Sequence, residues 1–175
     1  MTNEISALFD KITSSIEDAT TGASCETNII LITKTDLKTI TKKNGWNFNW
    51  RLEFNSLQKQ VYKLVKKDES NVIQGLICFE LKEGYIEMHL IETAPHNFGK
   101  NKRYIGVMYN LVAFVCKLSF ERGFDGVVAF TAKSSLINHY REKLGAIRIP
   151  GFNRMVILTP EAKKLVNSYY KNYLL

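Results

Sequence analysis

The chain has 175 residues, 45% of them hydrophobic and 23% charged, with three prolines and a formal net charge of +7. That length and composition suit one globular domain with a sizeable core and exclude a disordered chain. Its longest apolar runs, such as "NIILI" and "LVAFVC", fall far short of the ~18 residues of a membrane-spanning helix.

The opening "MTNEISALFDKI" lacks the cationic start, apolar centre and small-residue cleavage site of a secretory signal, so a cytoplasmic location is expected. Cys25, Cys78 and Cys116 are odd in number and widely spaced, which indicates neither a disulfide framework nor a zinc site. Basic residues fall in small groups, "KLVKK", "GKNKR", "YREK" and "AKK", without a long basic tail or a groove-reading motif. Charge alone points to an anionic ligand or partner.

In chain order, Ile5, Leu8, Phe9, Ile12 and Ile16 stand at helical spacing and predict an opening amphipathic helix. "NIILIT" reads as a short buried strand, and Asp36 as the cap of a helix ending at the Asn44-Gly45 turn. Trp46 and Trp50 fit a core, a subunit contact or a substrate cage. Residues 60–93 read as three strands joined by the turns "KDESN" and "KEG", an antiparallel meander. In its third strand, alternation sets Tyr85, Glu87, His89 and Ile91 on one side and Ile86, Met88, Leu90 and Glu92 on the other.

A helix over 106–121 follows, with Val107, Leu111, Phe114, Val115 and Leu118 along one stripe and Gly123 stopping it. "VVAFTA" is continuously apolar and predicts a buried strand. "SSLINHYREKLGA" predicts a helix capped by Ser134 or Ser135 and ended by Gly145. "IRIPG" and "RMVIL" predict a strand pair, and Pro160 begins a last helix. The order predicts an α/β (α+β) single domain over 1–175, a central mixed, mostly antiparallel sheet flanked by helices.

Between the meander and the 106–121 helix lies "GKNKRYIGV". A cationic turn at a helix N-terminus offers unpartnered backbone N–H groups and a favourable dipole to a phosphate. Gly106 permits close approach, and Lys100, Lys102 and Arg103 supply charge. A solvated loop at a helix start is the plainer reading of the same residues.

Strand, cationic loop, helix, strand and then "INHYREKLGA" resembles the Gcn5-related N-acetyltransferase (GNAT) superfamily. The superfamily's Gln/Arg-x-x-Gly-x-Gly/Ala signature falls on Arg103, Tyr104, Ile105, Gly106, Val107 and Met108, with Leu111 at the leucine after it. Ile91, Thr93 and Pro95 resemble the end of the family's fourth strand. The resemblance is clearest over 60–158, and residues 1–59 would supply acceptor-side helices.

What the resemblance implies is a GNAT-like acyl-CoA N-acyltransferase fold that moves an acetyl group from acetyl-CoA, without a metal, to a primary amine on a small molecule or peptide. Amine and thioester would meet in a ternary complex. Backbone at Ile91, Glu92 and Thr93 would pair with the pantetheine arm, and N–H groups from Tyr104 through Ile105, Gly106 and Val107 to Met108 would hold the pyrophosphate, with Arg103 and Lys133 beside the cofactor. Glu87 or His89 would take the amine's proton, with Glu92 in reserve because a strand bulge common in the family would change its side. Tyr140 would protonate the leaving thiolate. It stands one residue further from Gly145 than the family spacing, where Arg141 sits instead. Met108 replaces a small residue, the 95–103 loop is long, and Lys133 stands where the family has an asparagine.

Two other readings stay open. One is a degenerate acyl-CoA-binding or regulatory module, favoured by Met108 and the displaced Tyr140. The other is a basic nucleic-acid-binding domain, motivated by the charge of +7. Nucleic acid is not the expected partner, nor is a membrane. The tail "SYYKNYLL" offers apolar surface for a homodimer.

Overall fold

The computed structural model describes residues 4–5, 15–170 and 173. The meander forms as predicted, from β5 (Lys59–Lys66), β6 (Glu69–Leu81) and β7 (Ile86–Thr93), all antiparallel. Among the described residues, eight strands make the main sheet, seven of them along one path. At one edge β4 (Thr27–Leu31) pairs with β5; beyond β7 come β9 (Val128–Ala132), β11 (Arg154–Ile157) and β10 (Ile147–Arg148). Only the β7–β9 neighbours along this path run parallel, joined through the crossover helix α2 (Val107–Glu121).

β7 and β9 pair only from Ile86–Met88 against Val128–Phe130. Beyond that point β1 (Glu4–Ile5) takes the edge of β9, with Glu4 opposite Thr131 and Ile5 opposite Ala132. A second, three-stranded sheet joins β2 (Ile16–Asp18) to β3 (Ser24–Cys25) on one side and to β8 (Tyr104–Ile105) on the other.

Two apolar clusters cover the two faces of the main sheet. The larger packs Ile77, Phe79, Ile86, Met88 and Ile91 against α2 and α4 (Thr159–Tyr169). The smaller packs Leu76, Cys78 and Leu90 against Trp46, Trp50 of α1 (Trp50–Phe54), Leu37 and Ile40. The buried tryptophans are therefore core residues, Trp50 being 1% exposed.

Several expectations are corrected. Ile5 and Ile16 lie in strands β1 and β2 instead of an opening helix, while Leu8, Phe9 and Ile12 fall outside the described residues. In place of one helix after Asp36 there are two 3₁₀ turns, Asp36–Lys38 and Lys42–Asn44. β-branched residues dominate "TITKK" and weaken a helix there. The Asp36 carboxylate accepts from the Thr33 N–H at 2.7 Å and from the Lys63 ammonium at 2.7 Å, which fastens the turn to β5. β4 is an exposed edge strand, with Leu31 57% exposed. Residues 15–59 therefore contribute mostly strands and turns, with the five-residue α1 as their α-helix.

α3 (Ile137–Leu144) ends at Gly145 as expected, with φ of 64°. Neither Ser134 nor Ser135 caps it; a 3₁₀ turn over Ser134–Leu136 leads in.

Candidate functional site

β7 carries one residue more than its partner: Cys78 faces Leu90 and Phe79 faces Met88, so His89 bulges out. The strict alternation holds from Ile86 to His89 and then changes side. Ile91 joins Ile86 and Met88 in the core under α2, and Leu90 and Glu92 turn to the side of Glu87.

Glu92 is 6% exposed, and both its carboxylate oxygens accept hydrogen bonds, from the Asn47 N–H at 2.6 Å and from the Trp50 indole N–H at 2.7 Å. No cation is bonded to it among the described residues. Glu87, by contrast, is clamped by Arg154 through two bonds of 2.7 and 2.6 Å. The carboxylate in turn holds the Arg154 guanidinium more firmly protonated than usual. His89 Nε2 lies 2.9 Å from Glu80, whose carboxyl is held below its ordinary range by the Lys82 ammonium at 2.6 Å and by His89. Glu87 and His89 thus share a face but have separate partners, Arg154 and Glu80.

A cavity of about 590 Å³ opens at the C-terminal end of β7. Glu92 and Thr93 line it from β7, Met108 from the first turn of α2, and Lys133 from the end of β9. Lys100 and Lys102 reach it from the long loop, and Asn47 and Phe48 from the turn before α1. Partial burial pushes the Lys102 ammonium below its ordinary pKa. Of the expected site residues, Glu92, Thr93, Met108 and Lys133 are brought together here, whereas Glu87, His89 and Tyr140 do not line this cavity. The Tyr140 ring is fully buried, edge-on to Phe130 at 5.3 Å.

The signature turn is more committed than a free phosphate loop. Gly106 adopts φ of 85°, a left-handed conformation suited to glycine, and the first intrahelical bond runs from the Asn110 N–H to its carbonyl. The N–H groups of Val107, Met108 and Tyr109 precede that bond and form the helix's open N-terminus. The Arg103 N–H instead donates to the His96 carbonyl and the Tyr104 N–H to Asn97 Oδ1 at 2.9 Å, and Ile105 pairs with Glu17 of β2. Arg103 also stacks over the buried Tyr104 ring, 5.4 Å from its centre.

Sequence reasoning missed Gln74, which organises this turn. Its backbone carbonyl accepts from the Ala94 N–H and from Asn97 Nδ2, and its side-chain oxygen lies 2.8 Å from His96 Nε2 and 2.9 Å from Asn97 Nδ2. Gln74 is wholly buried at a register break between β5 and β6. A polar residue among the apolar residues of "VIQGLICF" was the available signal.

A second cavity, of about 550 Å³, lies between β4, α2 and α4 and includes Asn110, Lys117 and Tyr170. It gathers none of the expected site residues.

No family model matches the chain, and no curated protein does. Solved structures do. A Vibrio cholerae spermidine N-acetyltransferase chimera aligns over 79% of this chain and 99% of its own, at TM-score 0.55 and 15% identity. The Vibrio cholerae spermidine N-acetyltransferase bound to CoA and spermine aligns over 79% and 98%, at TM-score 0.56 and 14% identity. A KacTA–DNA complex aligns over 80% and 98%, at TM-score 0.55 and 14% identity. The chain therefore shares the fold of these spermidine N-acetyltransferase structures.

Proposed function

We propose that the protein is an acyl-CoA-dependent N-acetyltransferase acting on a primary amine. The observation that carries this reading is the cavity at the end of β7, which sets a buried carboxylate beside three lysines and an open helix N-terminus. The residues suit the co-substrate's chemistry. The N–H groups of Val107 to Tyr109 and the ammonium groups of Lys100, Lys102 and Lys133 would hold the phosphates. The β7 backbone from Ile91 to Thr93 would pair with the pantetheine arm.

The amine nitrogen attacks the thioester carbonyl carbon, the new C–N bond forms, and the C–S bond breaks as the sulfur takes its electron pair. Glu92 lines the cavity and is the carboxylate best placed to take the amine's proton, directly or through water. Its two hydrogen-bonded neighbours fix its orientation. The leaving thiolate takes its proton from solvent or from an acid in the complex, because Tyr140 packs away in the core.

The acceptor we infer is a singly charged amine. Glu87, Glu53 and Asp36 are neutralised by Arg154, Lys59 and Lys63, which leaves Glu92 as the cavity's carboxylate. The chain's net charge of +7 disfavours a polycation.

The buried Tyr140 and the separate partners of Glu87 and His89 favour a second reading, acyl-CoA binding without turnover. Calorimetric titration with acetyl-CoA and with CoA tests both, followed by an amine screen with Glu92→Gln beside the wild type. Micromolar binding with amine-dependent CoA release that Glu92→Gln abolishes supports the enzyme. Binding without release supports the second reading, and no binding overturns both.

A further inference from the structure

The N-terminal segment meets the proposed cofactor site at two places. One edge of β9 is taken by β11, which pairs with it from Val128 to Thr131, and the Ala132 N–H donates to Asn153 on that same side. The opposite edge is shared: β7 holds Val128 to Phe130, and β1 holds Thr131 and Ala132. β1 also packs against β7. It therefore stands in the opening where β7 and β9 part. After ten intervening residues, β2 begins at the wholly buried Ile16 and pairs with Tyr104 and Ile105 of the signature turn.

We propose that β1 is a built-in competitor for the acyl-CoA cleft, which must leave the gap between β7 and β9 before a pantetheine arm can enter it. This rests on the acyl-CoA reading above. β1 ladders with β9 and the arm would ladder with β7, but both would fill the one gap between the parted strands, so their occupancies exclude each other. The occupant is set by the chain itself. β2 anchors the segment beside the helix N-terminus, so ten intervening residues keep β1 at a high effective concentration near the gap. A strand of two residues offers few ladder bonds, which suits a competitor that a ligand displaces. Acyl-CoA affinity is then lowered by the fraction of molecules with β1 seated.

The test uses the full chain and Ile5→Pro, since proline has no N–H to give a ladder. Because the Ala132 N–H points to β11, the Thr131 N–H points to β1 and reports its seating by hydrogen exchange. In the wild type without ligand, the Thr131 amide should be protected, and it should be released in Ile5→Pro. Acetyl-CoA should bind Ile5→Pro about tenfold more tightly than the wild type, the gain for a cleft closed nine-tenths of the time. Equal affinities, or an unprotected Thr131 amide in the wild type, would overturn the competitor role and leave the acyl-CoA reading standing. If neither protein binds acetyl-CoA or CoA, the acyl-CoA reading falls and the competitor role falls with it.

Discussion

Replacing Glu92 by glutamine tests whether the cavity's carboxylate is held as described. Its two oxygens serve two different donors, the Asn47 N–H at 2.6 Å and the Trp50 indole N–H at 2.7 Å. A glutamine has one carbonyl oxygen, so one donor must face an NH₂ group instead. Glu92 and Trp50 are 6% and 1% exposed, and little water reaches the site to compensate. An unsatisfied buried donor costs about 1–3 kcal/mol. At about 2–4 °C per kcal/mol for a chain of this size, a central loss near 2 kcal/mol lowers the Tm by about 4–8 °C. Thermal and urea unfolding followed by circular dichroism measure this directly. Glu26→Gln is the control, because Glu26 meets Lys67 at 3.1 Å in an exposed pair whose loss should cost about 0.5 kcal/mol or less. If Glu92→Gln loses no more than Glu26→Gln, the clamp does not exist in solution.

Three further outcomes are expected. A Cβ at Gly75 would stand 2.7 Å from Val107 Cγ1 and 3.2 Å from the Glu92 carbonyl, so Gly75→Ala should cost about 1–3 kcal/mol in urea unfolding. The same variant should weaken CoA binding, because the clash displaces the first turn of α2. Burial, aided by Arg103, holds the His96 pKa below its ordinary 6.5. The unfolded chain therefore binds the proton first, and stability falls as pH drops from about 6.5 toward the lower folded value. Urea midpoints at stepped pH should show a shallower fall in His96→Gln, and an unchanged profile would refute this. Burial pushes the Cys116 thiol to about 12 and raises that of Cys78, where Glu53 adds to the effect. Maleimide on the native protein should label Cys25 first, as checked by peptide mass analysis.

The meander, α2 and the strand β9 were legible because their apolar periods are local and long. Gly123 and Gly145 marked helix ends for the same reason: glycine at a left-handed position is a local requirement, with φ of 76° and 64°. The N-terminal third was not legible. β2 is a strand because Glu17 meets Ile105, a pairing across almost ninety residues that no local pattern announces. Asp36 looked like a helix cap, but its carboxylate is spent on Thr33 and on Lys63, and the lysine comes from the distant strand β5. At the site, the cationic turn and Gly106 were readable. Gln74 and the Asn47–Trp50 clamp on Glu92 depend on chain segments that meet only after folding.

The extra residue at His89 also works as a phase shifter. It divides β7 into two halves with opposite parity, so an odd-numbered position faces one way before it and the other way after it. Drawing His89 into regular pairing while the first half keeps its register would send Ile91 toward the tryptophans and Glu92 beneath α2, inverting the cavity wall in one event, whereas deleting it would leave a plain ladder with both halves facing as they do now. Point substitutions, by contrast, leave the phase untouched. The residues before His89 can therefore answer to the Glu87–Arg154 ion pair, and those after it to the cavity, as two separately variable modules on one strand.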